Sequence, residues 1–376
     1  MAGYSAVPAL LPHLIDEWSL SNTEGGWLAG VFFAGYVLSV LLIVALSDRI
    51  ASRTIYLVSA AICVLATVLF AQVESYSGAL VLRAMAGVAL AGTNMPGLKA
   101  LTDYLSGNRR ARVVAWYTVS FSVGAGLSFV LAGNVAAIGG WRFAFFVAAA
   151  VTAAGFIIAL LFLPKPPATA APSQKENPWD FLPVLRNRAV MGFVIAYAAV
   201  IWANAGIRQW LVVFLEATSL NSIGSELIYL VAALASLIGV PAGLLGNELA
   251  IRYGSRYVAV RLFGVAAVAS FFVGWLYTLP GALVIVTIVL YAFVIQGNIS
   301  NLTAGTVASA EPGRAGATLA LHSFIGFTGG ILGPLSFGVM LDMAGGTDSQ
   351  IAWLFAYGSC GLVCLVGALA LYQRRS

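Results

Sequence analysis

The sequence predicts an all-α membrane protein in which two similar six-helix halves are joined by a single proline-bearing linker. Three observations predict it. Apolar residue types make up 61% of the chain and charged ones only 9%, with a mean hydropathy of +0.95, which leaves too little polar surface to cover a soluble globule of 376 residues. Twelve apolar stretches follow one another, most of them near the length of about 20 residues that a helix needs to cross the hydrocarbon core. A short charged turn also occurs twice, 203 residues apart: Leu46-Ser47-Asp48-Arg49-Ile50-Ala51-Ser52-Arg53 and Leu249-Ala250-Ile251-Arg252-Tyr253-Gly254-Ser255-Arg256 share four of their eight residues. Trp18-Ser19-Leu20-Ser21-Asn22 is echoed by Thr218-Ser219-Leu220-Asn221-Ser222 at an offset of 200. Two agreeing offsets make the chain a doubled unit.

Taken in order, the first half (1–163) holds segments near residues 1–16, 25–46, 54–73, 78–101, 112–137 and 142–163. The first is short. About 15 residues precede Asp16 and Glu17, enough for a helix of roughly 22 Å, and the stretch lacks the basic start and small-residue cleavage site of a signal peptide. A start further upstream, or a truncated first helix, is therefore expected. Residues 164–188 form the linker, with Pro164, Pro166, Pro167, Pro172, Pro178 and Pro183 among alanine, serine and charged residues. The second half (189–376) holds segments near 189–214, 224–249, 257–278, 281–308, 315–341 and 351–372, then a short tail.

Orientation follows from the cations. With the carboxyl terminus in the cytoplasm, all of the 19 Lys and Arg except Arg83, Arg142 and Arg208 fall on the cytoplasmic side, which places both termini inside and suggests a bacterial inner membrane. The formal charge of +5 comes from short clusters between apolar runs, not from one basic face, so no nucleic-acid partner is implied. Cys63, Cys360 and Cys364 lie inside apolar segments without ligand spacing, so neither a disulfide nor a metal site is expected. His13 and His322 are remote from each other and no Asp pair lies inside a segment, which argues against an enzyme. No cofactor is expected.

Twelve segments in two halves, a cytoplasmic linker and a charged turn after segments two and eight resemble the major facilitator superfamily of secondary transporters. In the first turn Leu46, Asp48, Arg49 and Arg53 match that family's signature, whereas Val44, Ala51 and Ser52 depart from it. In the second, Leu249, Arg252, Gly254 and Arg256 match and Ile251 replaces the acid. Arg83-x-x-x-Gly87, Gly140-Trp141-Arg142-x-x-Phe145 and Pro312-Gly313-Arg314-Ala315-Gly316 are weaker echoes. Ser120-x-x-x-Gly124-Ala125 lacks the proline of the antiporter element, which argues against a proton-driven drug exporter. The resemblance implies a secondary or facilitated transporter that works by alternating access between two pseudo-symmetric bundles, in a fold that serves import and export alike.

The residues that could carry such a function are the polar ones inside apolar segments. An intramembrane Arg is costly, at least about 2.5–3.5 kcal/mol at mid-helix, so Arg83 and Arg208 either face water or a partner, or reach for the outer interface. Two cations at one cavity favour a small organic anion, since Arg binds carboxylates in bidentate form; a hydrophobic compound exported as a drug is the alternative substrate, and a non-transporting receptor or scaffold the alternative class. Asn94, Asn204, Gln209, Gln296 and Asn298, with Thr93 and Asn301, are expected to line the walls, and Asn94-Met95-Pro96-Gly97 breaks a backbone bond where binding sites tend to form. Asp48, Arg49, Arg53, Arg252 and Arg256 are expected to form a cytoplasmic gate or only to set topology. No Asp or Glu sits mid-segment, so His322 is the embedded candidate for a proton relay, or else a packing residue. Gly326, Gly329, Gly330, Gly333 and Gly338 put small residues along segment eleven for close helix approach, between the halves of a monomer or between copies.

Overall fold

The computed structural model describes residues 3–46, 50–102, 105–164 and 181–372; of the expected gate, Asp48 and Arg49 lie outside them. The described regular structure is helical throughout. Helix α1 (Ala6–Trp18) is followed by α2 (Asn22–Leu46), α3 (Ser52–Phe70), α4 (Tyr76–Thr102) and the 56-residue α5 (Gly107–Phe162). After the short α6 (Leu182–Arg186) come α7 (Arg188–Glu216), α8 (Ser225–Leu237), α9 (Gly239–Tyr253), α10 (Ser255–Val273), α11 (Gly281–Ala308), α12 (Ala315–Met343) and α13 (Gln350–Tyr372).

A straight helix of α5's length would reach far beyond a bilayer. It is broken at Gly139 and Gly140, whose φ values are −136° and +78°, so it makes two passes at the boundary that the sequence predicts. Gly140 suits the break because a side chain would strain a positive φ. Helices α8 and α9 together make one pass, interrupted just before Pro241, whose nitrogen has no hydrogen to donate to the ladder. Among the described residues, ten helices are long and apolar enough to cross a membrane, counting α5 once and α8 with α9 as one. The chain is an integral membrane protein. Helix α1, at 13 residues, is short as expected, and Ala6 to Leu11 are buried against its neighbours.

The turns gather at two faces. One carries the α1–α2, α3–α4, α7–α8, α10–α11 and α12–α13 connections and the α5 break, tied by Arg142 donating to the Val73 carbonyl and pairing with Glu17 at 3.1 Å, by Tyr76 to the Glu24 carbonyl, by Ser219 to Leu279 and by Tyr277 to Asp348. The opposite face carries the α4–α5, α9–α10 and α11–α12 connections, tied by Arg53 to the carbonyls of Leu160 and Leu163 and by Asn187 to Ser309.

Helix α7 is the most enclosed crossing, with 72% of its apolar window buried, and it packs on α12, α13, α11 and α1. Lipid tails are as apolar as leucine, so such contacts rest on close packing and on hydrogen bonds. Phe214, Phe337, Trp353 and Tyr357 supply a fully buried cluster of edge-to-face rings around α7 and α13. The glycines of α12 serve two neighbours at once: Gly326, Gly329 and Gly333 face α7, while Gly330 and Gly338 face α2.

Helix α2 meets α12 backbone to backbone. A Cβ added at Gly26 would lie 2.6 Å from the Pro334 carbonyl oxygen. Gly26→Ala is therefore expected to force the helices apart at a cost of about 1–3 kcal/mol and to lower the apparent melting temperature of the purified protein; an unchanged melting curve would show that this approach contributes nothing to stability.

Candidate functional site

Arg83 leaves α4 toward α2. Its Nε donates to the Leu28 carbonyl at 2.9 Å, the guanidinium lies over the Phe32 ring at 4.5 Å, and the residue is 6% exposed. Leu28 and Phe32 are one turn apart, so one face of α2 supplies both the acceptor and the ring. No carboxylate pairs with Arg83 among the described residues, and its terminal nitrogens take no protein acceptor there.

Arg208 approaches from α7. It is half-buried and lies over the Tyr4 ring at 5.3 Å, with no hydrogen bond or ion pair among the described residues. Tyr4 and Phe32 are themselves in edge contact at 5.7 Å, and Tyr4 also meets Phe121 of α5 at 5.2 Å. Two guanidiniums from opposite halves of the sequence thus lean on one joined pair of rings. Beside Arg208 is a pocket of about 20 Å³ whose lining includes Asn204, Leu211, Ser236, Ala292 and Gln296, room for about one water.

The other polar residues expected to line a cavity divide. Asn204 and Gln296 share the Arg208 pocket, and Gln296 holds its amide in place by donating to the carbonyls of Ala235 and Ala292. Asn94 lies beside Tyr36. Pro96 leaves the α4 ladder one donor short, and the Tyr117 hydroxyl donates to the carbonyls of Thr93 and Asn94 at 2.6 and 2.9 Å. Asn298 turns instead to α10, where its Nδ2 donates to Ala259, and Asn301 does the same to Ser255. Gln209 donates to the Gly25 carbonyl at 3.1 Å, which ties α7 to the start of α2.

His322 is 2% exposed, with Nδ1 at 3.0 Å from the Thr306 hydroxyl, Nε2 at 3.4 Å from that of Thr303, and the Tyr197 ring at 3.9 Å. Of the expected gate, Arg53 binds carbonyls at the end of α5, a cation at a helix carboxyl end. Arg252 lies exposed over the Tyr253 ring, and Arg256 is half-buried and partnered.

Sequence reasoning missed a clasp. Both oxygens of Asp342, at the end of α12, accept from the start of α2: the Asn22 amide and side chain at 3.0 and 2.8 Å, and the Thr23 amide at 2.7 Å together with its hydroxyl. The first amides of a helix have no partner within it and favour an anion. Ser21 and Glu24 complete the same helix start as a capping box. That box, Ser21-x-x-Glu24, was the available signal; that an acid more than 300 residues away would finish it was not. Tyr4 and Phe32 carried no signal either, being aromatic residues in apolar runs.

The model of the Major Facilitator Superfamily matches residues 1–334. The chain belongs to the Major Facilitator Superfamily. The hexuronate transporter of Bacillus subtilis (strain 168) is 21% identical over 361 residues, which cover 91% of this chain and 84% of that protein. Protein spinster homolog 3 of Danio rerio is 22% identical over 206 residues, 52% of this chain and 41% of its own length, so the match spans under half of that relative. Among solved structures, a bacterial homolog of the human lysosomal transporter Spinster, in an inward-facing and occupied conformation, superposes with a TM-score of 0.80 at 18% identity, covering 99% of this chain and 93% of that one. The superfamily membership and the transporter-named relatives point to a transporter rather than an enzyme.

The clasp makes a measurable statement about this superfamily member. In Asp342→Ala the α2 amides lose a charged acceptor, a solvent-exposed interaction of about 0.3–1 kcal/mol. A cysteine placed at Ile331, on the α2–α12 seam, is expected to react with a maleimide several-fold faster in that background than with Asp342 intact; equal rates would show that the clasp does not hold the seam shut.

Proposed function

We propose that this protein carries a small organic anion across the membrane by alternating access, as a secondary or facilitated transporter, with Arg83 and Arg208 holding the anion. The observation that carries the reading is the meeting of these two guanidiniums at the Tyr4–Phe32 pair with no carboxylate paired to them among the described residues. A cation inside a membrane segment is stabilised by a counter-charge or by water. Here the protein supplies rings and one carbonyl, so an anion arriving from solution completes the set. Arg presents paired donors that match a carboxylate edge to edge, and the rings below favour a substrate with an apolar or flat body. Asn204 and Gln296 line the pocket beside Arg208, so the Asn204 amide and the Gln296 carbonyl oxygen stand next to that guanidinium. The hexuronate transporter's name denotes a carboxylate, which supports the same class for this chain.

The two bodies that rock are residues 1–163 and 189–376, joined by the linker at 164–188. The α2–α3 end faces the cytoplasm because the cations gather there, so the Asp342 clasp and the Gln209–Gly25 bond close the outer side. His322, held by two threonine hydroxyls, is the group on which a coupling proton could ride. Opening the outer side requires the clasp to break and the inner side to close, the rocking motion of repeat-built transporters.

A native-state ligand raises apparent stability, which gives the test. In a thermal-shift series with small carboxylates, inorganic anions, sugars and hydrophobic cations, a carboxylate is expected to stabilise the wild-type protein. Arg83→Gln and Arg208→Gln are expected to melt as cooperatively as wild type and to lose that gain, with at least about tenfold weaker binding, as removal of a charged hydrogen-bond partner implies. Stabilisation by hydrophobic cations alone, or an undiminished carboxylate gain in both variants, would overturn the assignment.

A further inference from the structure

The second copy of the charged turn differs from the first in its acid and in the partners of its cations. In the first, Arg53 is tied to the carbonyls of Leu160 and Leu163. In the second, Ile251 stands where the first has an acid, and two of the cations near the turn, Arg252 and Arg261, have no acceptor among the described residues. Arg252, at the end of α9, lies over the Tyr253 ring at 5.3 Å, and Arg261, on α10, lies over the Tyr257 ring at 4.1 Å. Neither makes a hydrogen bond or ion pair among the described residues. Glu248, one turn before Arg252, is exposed and does not pair with it. Arg256, between the two, has a partner of its own and is no part of the argument.

The surroundings say what kind of anion belongs there. Ile251, Tyr253 and Tyr257 are 72%, 53% and 49% exposed, a large apolar area that water would not favour. The turn ends two membrane crossings, so this surface lies at headgroup depth, where tyrosines place the ring in the acyl region and the hydroxyl in the interface. Tyr257 and Arg261 are four residues apart on α10 and share a face, so cation and ring are presented to the bilayer together. A soluble anion would use the charges and leave the apolar area bare. A nucleic acid or an acidic protein would have to reach into the bilayer to cover Ile251 and Tyr257.

We propose that the α9–α10 turn is a headgroup site for an anionic phospholipid of the adjoining leaflet, with the phosphate held by Arg252 and Arg261 and the acyl chains lying along Ile251, Tyr253 and Tyr257. Basic residues beside a crossing attract acidic lipid electrostatically; the tyrosines and Ile251 add the hydrocarbon contact that a free phosphate lacks. The site is separate from Arg83 and Arg208 and does not depend on what they bind.

The test uses the full-length protein, delipidated in a neutral detergent. Phosphatidylglycerol is expected to raise the melting temperature roughly twice as much as phosphatidylcholine or more, with inorganic phosphate giving no gain. Arg252→Gln/Arg261→Gln is expected to lose that preference while Arg186→Gln, an exposed arginine on α6, keeps it. Native mass spectrometry of the same samples should find fewer retained phosphatidylglycerol molecules on the double variant than on wild type, a readout that does not depend on melting. Equal responses to the two lipids, an unchanged double variant in both measurements, or phosphate acting as well as phosphatidylglycerol would each overturn the proposal.

Discussion

The approach of α2 to α12 is the contact on which the rest of the structure depends. In a bilayer there is no hydrophobic gain in joining two apolar helices, so association rests on how closely their backbones fit and on the hydrogen bonds between them. Gly26 and Gly338 remove the side chains that would hold these helices apart, and Asp342 fills the electrostatic need of the α2 amino end. Deeper along the same seam Phe33 stacks on Phe327 at 6.0 Å and Tyr36 meets it at 4.5 Å. The first and second halves of the sequence are thereby brought together, and with them Arg83 and Arg208.

That pairing of arginines is an arrangement of like charges in a medium of low dielectric, and the structure moderates it without an acid. Each guanidinium faces the negative face of a ring, and Arg83 also takes a backbone carbonyl. Such partners are weaker than a carboxylate and leave donors unused. A built-in Asp or Glu would have satisfied the cations and, on the proposed reading, closed the site to an anion. The polar residues of α11 have a different part: Asn298 and Asn301 each join α11 to α10 through a backbone carbonyl, which ties those two helices together.

Most of the fold was legible in the sequence because twelve apolar runs separated by charged or glycine-rich breaks leave few alternatives. Gly139–Gly140 marked the α5 break, and the shortness of α1 could be counted from Asp16 back. Arg83 and Arg208 were legible too, as rare cations in runs that otherwise lack them. Which face of each helix points inward was not. A helix that is apolar all round, as α2 is, carries no periodic mark to separate lipid from interior, so Phe32 could not be told from Leu38, although the first is buried and the second 73% exposed. The same blindness hid the partners of Gln209 and Asn298, since a backbone carbonyl on a neighbouring helix has no sequence signature. Arg53 read as a gate residue because the turn around it resembles one; its acceptors at the end of α5 are set by tertiary placement alone.

The Asp342 clasp is built from a carboxylate, two amides, a hydroxyl and a carboxamide at the rim of the bundle, where Asp342 and its partners are reached by solvent. Every one of these groups can trade its protein partner for a water molecule. Parting α2 from α12 at this rim would therefore strand no polar atom in hydrocarbon, and opening the clasp would cost little. A seam closed only by interlocked rings would have lacked that ease of opening.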